Sequence, residues 1–84
     1  MLTQDPITER VASAIGMTVE EAEGNTMVAA RNAASVLRAA GFTRKYNHGA
    51  WDRGMRWFKP GSDVPLPDLC ATSVLGVAIV DGLV

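Results

Sequence analysis

"NTMVAARNAASVLRAAGFTRKYNHGAWDRGMRWFKP", residues 25–60, changes its period part-way along. Up to Ala40 it is rich in alanine and other helix formers, and its apolar residues recur at helical spacing. Asn25 or Thr26 can cap this helix and Gly41 can stop it in a left-handed conformation. The buried stripe is expected to be Met27, Ala30, Ala34 and Leu37, with Ala33 and Val36 at its margins. Beyond Gly41, "FTRKYN" and "MRWFKP" are β-favouring, aromatic-rich runs on either side of "HGAWDRG", a glycine-flanked tip that reads as a hairpin loop. Pro60 ends the second strand, since it cannot continue a ladder.

Upstream, "TVEE" at 18–21 has capping-box spacing, with Thr18 at the cap and Glu21 reaching back to it. Gly24 follows closely, so this helix is short, about 19–23. Asp5 and Pro6 are a further helix-start pair. Ile7, Val11, Ala14 and Ile15 follow at helical spacing, giving a first helix over about 6–15 that Gly16 closes. Helix, short helix, longer helix and two-stranded hairpin is the order of a winged helix-turn-helix, an α+β fold, expected over residues 1–61. Residues 62–84 read as a Pro-containing linker followed by an apolar tail, for which a strand or helix capping the core, an oligomer contact and an appendix all stay open.

Eighty-four residues suit one small core, because a chain of this size hides only roughly 60 to 65% of its unfolded surface. With 48% hydrophobic and 20% charged residues the composition is that of a folded domain. The one cysteine, Cys70, excludes an internal disulfide framework and a Cys-rich zinc site. The N-terminus lacks a basic start and a long apolar run, and Val74 to Val80 is far short of the roughly 20 residues a membrane helix needs. A cytoplasmic protein without cofactors is expected.

The net charge of -1 conceals three blocks: -4 over residues 1–30, +6 over 31–59 and -3 over 60–84. Seven of the eight basic residues fall in the middle block. A local cationic patch, more than the global sum, decides whether a polyanion binds. On the third helix Arg31, Ser35 and Arg38 share a face, with Asn32 beside them, opposite the apolar stripe. Arginine can pair with guanine or phosphate, asparagine with adenine, and serine with either. Equally, any exposed helix face is polar, and this one could simply be solvated.

The hairpin adds the basic residues Arg44, Lys45, Arg53, Arg56 and Lys59, of which Arg44, Lys45, Arg53 and Arg56 are candidate phosphate contacts, and His48 is another. Tyr46, Trp57, Phe58 and Phe42 are expected to pack in the core or across the hairpin. Trp51, at the tip, could enter a groove, stack on an unpaired base or fold back over its own hairpin. No base and nucleophile pair and no phosphate-cradling loop with its lysine is visible, so the expected role is non-catalytic.

Residues 7–61 also resemble the C-terminal segment of phage and prophage virulence-associated E proteins, a replicative helicase-primase group. The features that carry the resemblance are Leu37, Arg38, Gly41 and Phe42, then Arg44, Lys45, Tyr46 and Gly49, then Arg56, Trp57 and Pro60. It implies a winged-helix-like DNA-binding appendage serving replication. None of the group's ATPase or primase chemistry is implied, since the chain has no Walker loop and no primase carboxylates. The partner expected is DNA, double-stranded in preference to single-stranded, with no membrane and with a replication or host protein as a further possibility. Two alternatives stay open: a small phage-type adaptor or inhibitor that meets an acidic protein, and a free-standing transcription regulator that requires a dimer.

Overall fold

A computed structural model describes residues 7–51 and 53–84. The chain is a small α+β domain with three N-terminal helices, α1 (Glu9–Ala14), α2 (Val19–Gly24) and α3 (Thr26–Ala39). A two-stranded antiparallel hairpin follows, β1 (Thr43–His48) and β2 (Arg53–Phe58), and then a C-terminal helix α4 (Ala71–Val80).

Short-range chemistry sets each helix start. Thr8 caps α1, its Oγ1 accepting from the Val11 amide at 3.3 Å. Asp5 and Pro6, the start pair suggested by sequence, lie outside the described residues; the observed first turn begins three positions beyond the expected start at residue 6. The capping box of α2 forms as expected, with the Glu21 amide donating to Thr18 Oγ1 and the Thr18 amide to Glu21 Oε1, both at 3.1 Å. Asn25 caps α3 by accepting from the Val28 amide. Gly41 ends α3 at φ +96°, which lets the Phe42 amide return to the Leu37 carbonyl at 3.0 Å.

One core joins all the helices to the base of the hairpin. It contains Val11 and Ile15 of the α1 region, Ala22 of α2, and Ala29, Ala33 and Leu37 of α3. Phe42 and Trp57 enter it from the hairpin, and Val74, Leu75 and Ala78 from α4. The stripe of α3 therefore differs from the expected one: Ala30 and Ala34 are only partly buried, and Met27 is 84% exposed. The reason is α4, whose packing against α3 selects the i, i+4, i+8 row Ala29, Ala33, Leu37, where small side chains permit close approach. Of the roles left open for the apolar tail, a helix on the core is the one adopted: Val74, Leu75 and Ala78 of α4 are buried in it, and Leu66 and Leu69 of the preceding segment pack against it.

The hairpin register pairs Thr43 with Phe58, Arg44 with Trp57, Lys45 with Arg56, Tyr46 with Met55, Asn47 with Gly54 and His48 with Arg53. Alternation along the strands puts Arg44, Tyr46, His48, Arg53, Met55 and Trp57 on one face, and Lys45 and Arg56 on the other. After β2 the chain turns back, bridging Phe58 with Pro65 and donating from the Leu66 amide to the Trp57 carbonyl at 2.9 Å. Among the described residues, no helix is long and apolar enough to cross a membrane.

Candidate nucleic-acid interface

The exposed face of α3 holds Arg31, Ser35 and Arg38, about 170° around the helix from the Ala29, Ala33, Leu37 row, as helical spacing of 100° per residue requires. Asn32 lies at the margin, half-buried, with its Nδ2 3.8 Å from the Met17 sulfur in the α1–α2 connection. Its amide is thereby turned partly toward the protein, and the outward face reduces to the other three residues.

Trp57 links this helix face to the hairpin. The ring is 2% exposed and packed into the core, while the guanidinium carbons of Arg38 and Arg44 lie 5.4 and 5.7 Å from its centroid. Both distances fall in the range where an aromatic quadrupole attracts a cation. One arginine comes from the last turn of α3 and the other from β1, so the two elements present their positive charge around a common anchor.

From that anchor the same hairpin face runs outward to the tip. Tyr46 and Met55, 46% and 47% exposed, stand opposite each other. Next come His48 and Arg53, also opposite each other and exposed. The Tyr46 and His48 rings are tilted neighbours with centroids 4.6 Å apart. Arg53 Nε donates to the Gly49 carbonyl at 3.3 Å, which ties its guanidinium to the loop. Trp51 is fully exposed at the tip, so of the three options its sequence left open, folding back over the hairpin is not the one adopted.

Three of the seven central cations do not join this face. Arg56, expected to contact phosphate, is only 7% exposed and donates through Nε and Nη2 to the Leu66 carbonyl. A buried guanidinium needs acceptors, and the returning segment supplies one, so Arg56 is a structural residue that binds the crossover to the sheet. Lys45 projects from the opposite hairpin face, where its Nζ lies 3.7 Å from Asp63 and 4.5 Å from the Phe58 ring centroid. Lys59 pairs with Asp81 at 3.4 Å. Both acids come from the last third of the chain. Arg31, Arg38, Arg44 and Arg53 have no ion-pair partner among the described residues and form the cationic part of the candidate surface.

Tyr46 and Met55 extend the surface beyond what sequence reasoning assigned. Of the two placements expected for Tyr46, in the core or across the hairpin, it takes the second: it stands half-exposed opposite Met55, because β1 lies over solvent along most of its length. Counting back in twos from buried Trp57 gives Met55 and Arg53, and the hairpin register then gives Tyr46 and His48. The signal was present but needed Trp57 to be identified as the inward anchor.

Cys70 stands apart from this face, just before α4. Burial opposes its ionisation, but hydrogen bonds with Ser73 and Thr72 outweigh that and leave the thiol pKa below its ordinary value. Among the described residues, no group of three or more His, Cys, Asp and Glu side chains is arranged to hold a metal ion. The chain matches no protein-family model, no curated protein and no solved structure in three separate comparisons.

Proposed function

We propose that this chain is a non-catalytic DNA-binding module built as a winged helix-turn-helix, with α3 as the recognition helix and the β1–β2 hairpin as the wing. The observation that carries the reading is the convergence of Arg38 and Arg44 on Trp57, which makes one cationic surface of a helix face and a hairpin face. An exposed helix has the width to enter a major groove, where Arg31, Arg38 and Ser35 offer the donors and acceptors that bases and phosphates require. Arg44 and Arg53 are positioned along the wing for backbone contacts. The acids that could oppose them are engaged elsewhere in two cases, Asp63 with Lys45 and Asp81 with Lys59. The resemblance of residues 7–61 to the virulence-associated E segment agrees with this reading and suggests a setting in phage or prophage replication.

Fluorescence anisotropy of a labelled duplex across a salt series tests the proposal. With Arg31, Arg38, Arg44 and Arg53 engaging about four phosphates, log affinity falls with log salt at a slope of about -3 to -4. The Arg31→Ala, Arg38→Ala double variant lowers the slope's magnitude by about 2. A flat salt response, or no measurable binding at low salt, rejects the reading.

A second reading, a protein-interaction adaptor, draws on fully exposed Trp51 with half-exposed Tyr46 and Met55, since exposed aromatics beside arginine also mark protein interfaces. It requires an acidic protein partner retained by the chain in the absence of nucleic acid.

A further inference from the structure

The hairpin face that carries Trp57 alternates two kinds of surface beyond its buried base. At its base, Arg44 lies over the Trp57 ring; further out, Tyr46 and Met55 present half-exposed apolar surface; then His48 and Arg53 stand together; beyond the paired strands, in the connecting loop, Trp51 stands wholly in solvent. Successive residues on one strand face are spaced by about 6.5 Å. A flat, apolar patch followed by a cation and then by a second flat ring is an arrangement suited to bases and phosphates that follow one another along an unpaired strand. A duplex offers no such match. Its bases are stacked on one another, so rings such as Trp51 and Tyr46 would meet only phosphates or a groove wall. The α3 face differs, being polar and cationic at Arg31, Ser35 and Arg38 with no exposed aromatic residue.

We infer that the preferred ligand is a duplex with a single-stranded extension: α3 holds the paired portion, and the hairpin face stacks the first unpaired bases on Trp51 and the Tyr46–His48 pair. This rests on the DNA-binding reading above and names the ligand class for the same surface. Trp51 is the residue on which the distinction turns. It is fully exposed, so its removal disturbs no packing, and its ring is the one with most area to offer a base. Tyr46, held against His48 at 4.6 Å between ring centroids, is the second platform. The surface accommodates any base, because every base has a π-face, so the preference is for strand state more than for sequence.

The test compares three labelled oligonucleotides with the full chain: a blunt duplex, the same duplex with a ten-nucleotide single-stranded tail, and the tail alone. The wild-type chain is expected to bind the tailed duplex about tenfold more tightly than the blunt one. Trp51→Ala is expected to abolish that preference while leaving blunt-duplex affinity within about twofold, and Trp51→Phe to retain part of it. Equal affinity for blunt and tailed duplexes, or a preference that survives Trp51→Ala, overturns the inference while leaving the DNA-binding reading intact. Absence of binding to all three overturns both. Tight binding to the tail alone with none to the blunt duplex also overturns it, by removing the role given to α3.

Discussion

The guanidinium of Arg38 and the indole of Trp57 are joined across the boundary between helix and hairpin, 5.4 Å from cation to ring centroid. Trp57 contributes twice, to the core through its buried ring and to the surface by holding two arginines. These contributions separate by substitution. Trp57→Ala removes a buried indole and is expected to cost about 3 to 5 kcal/mol, enough to leave the domain largely unfolded. Arg38→Ala loses only a partly solvated cation–π contact, at most about 1 kcal/mol, and is expected to keep the fold while reducing the salt slope of duplex binding by about 0.9. Urea melts followed by circular dichroism, alongside anisotropy, check both.

Arg56 and Arg44, both on the hairpin, are expected to respond in opposite ways. Arg56→Ala strips the Leu66 carbonyl of a charged donor in a buried setting and should destabilise by about 1.5 to 3 kcal/mol. Arg56→Lys restores little of this, because an ammonium cannot reproduce the fork that places two nitrogens near one carbonyl. For Arg44→Ala the melting midpoint changes little and duplex affinity falls. Paired melts and binding curves separate the two; unchanged stability in Arg56→Ala would contradict its assignment as a structural residue.

The place of α4 in the core leads to a third expectation. Leu75 is fully buried, whereas Val80 on the same helix is 78% exposed. Leu75→Ala should cost about 2 to 5 kcal/mol, lowering the melting temperature by roughly 10 °C or more, while Val80→Ala stays within about 0.5 kcal/mol. A chain ending at residue 70 lacks Val74, Leu75 and Ala78 and is expected to lose cooperative unfolding. Thermal melts of the three variants suffice.

Cys70 gives a pH-dependent expectation. Its folded-state pKa is lowered, so the fold favours the thiolate, and the associated stability is fully present above the unfolded-state pKa and disappears as pH falls through the folded one. Alkylation by iodoacetamide, which follows the thiolate, should therefore reach its half-maximal rate at lower pH in the folded chain than in an unstructured cysteine peptide. Thr72→Val removes one of the hydrogen-bonding hydroxyls and moves that midpoint upward. An unshifted midpoint in the folded chain would argue against this environment.

Much of the fold is legible wherever a cause and its effect lie within four residues. Thr18 with Glu21 sets the start of α2, Asn25 that of α3 and Gly41 its end, because capping is local chemistry. The hairpin follows from its aromatic strands and glycine-containing tip. What the sequence conceals depends on α4. "ATSVLGVAIV" is apolar on all sides and rich in β-branched residues, so it has no amphipathic period to identify it as a helix. Without α4 the buried row of α3 cannot be chosen correctly. The roles of Lys45, Arg56 and Lys59 are concealed for a related reason: Asp63, Leu66 and Asp81, which engage them, are brought to the hairpin only by the returning chain. Arg31, Ser35 and Arg38 could be placed together on α3 from helical spacing alone, whereas joining Arg44 and Arg53 to them, and leaving out Lys45 and Arg56, needed Trp57 to be identified as the inward anchor.

The two tryptophans occupy opposite extremes, Trp51 wholly in water and Trp57 sealed inside. Their intrinsic emission consequently differs in colour and in susceptibility to acrylamide quenching. The unlabelled chain thus carries two optical reporters, a red-shifted one that senses whatever touches the tip and a blue-shifted one that senses the integrity of the core, so occupancy and unfolding can be followed separately in a single cuvette.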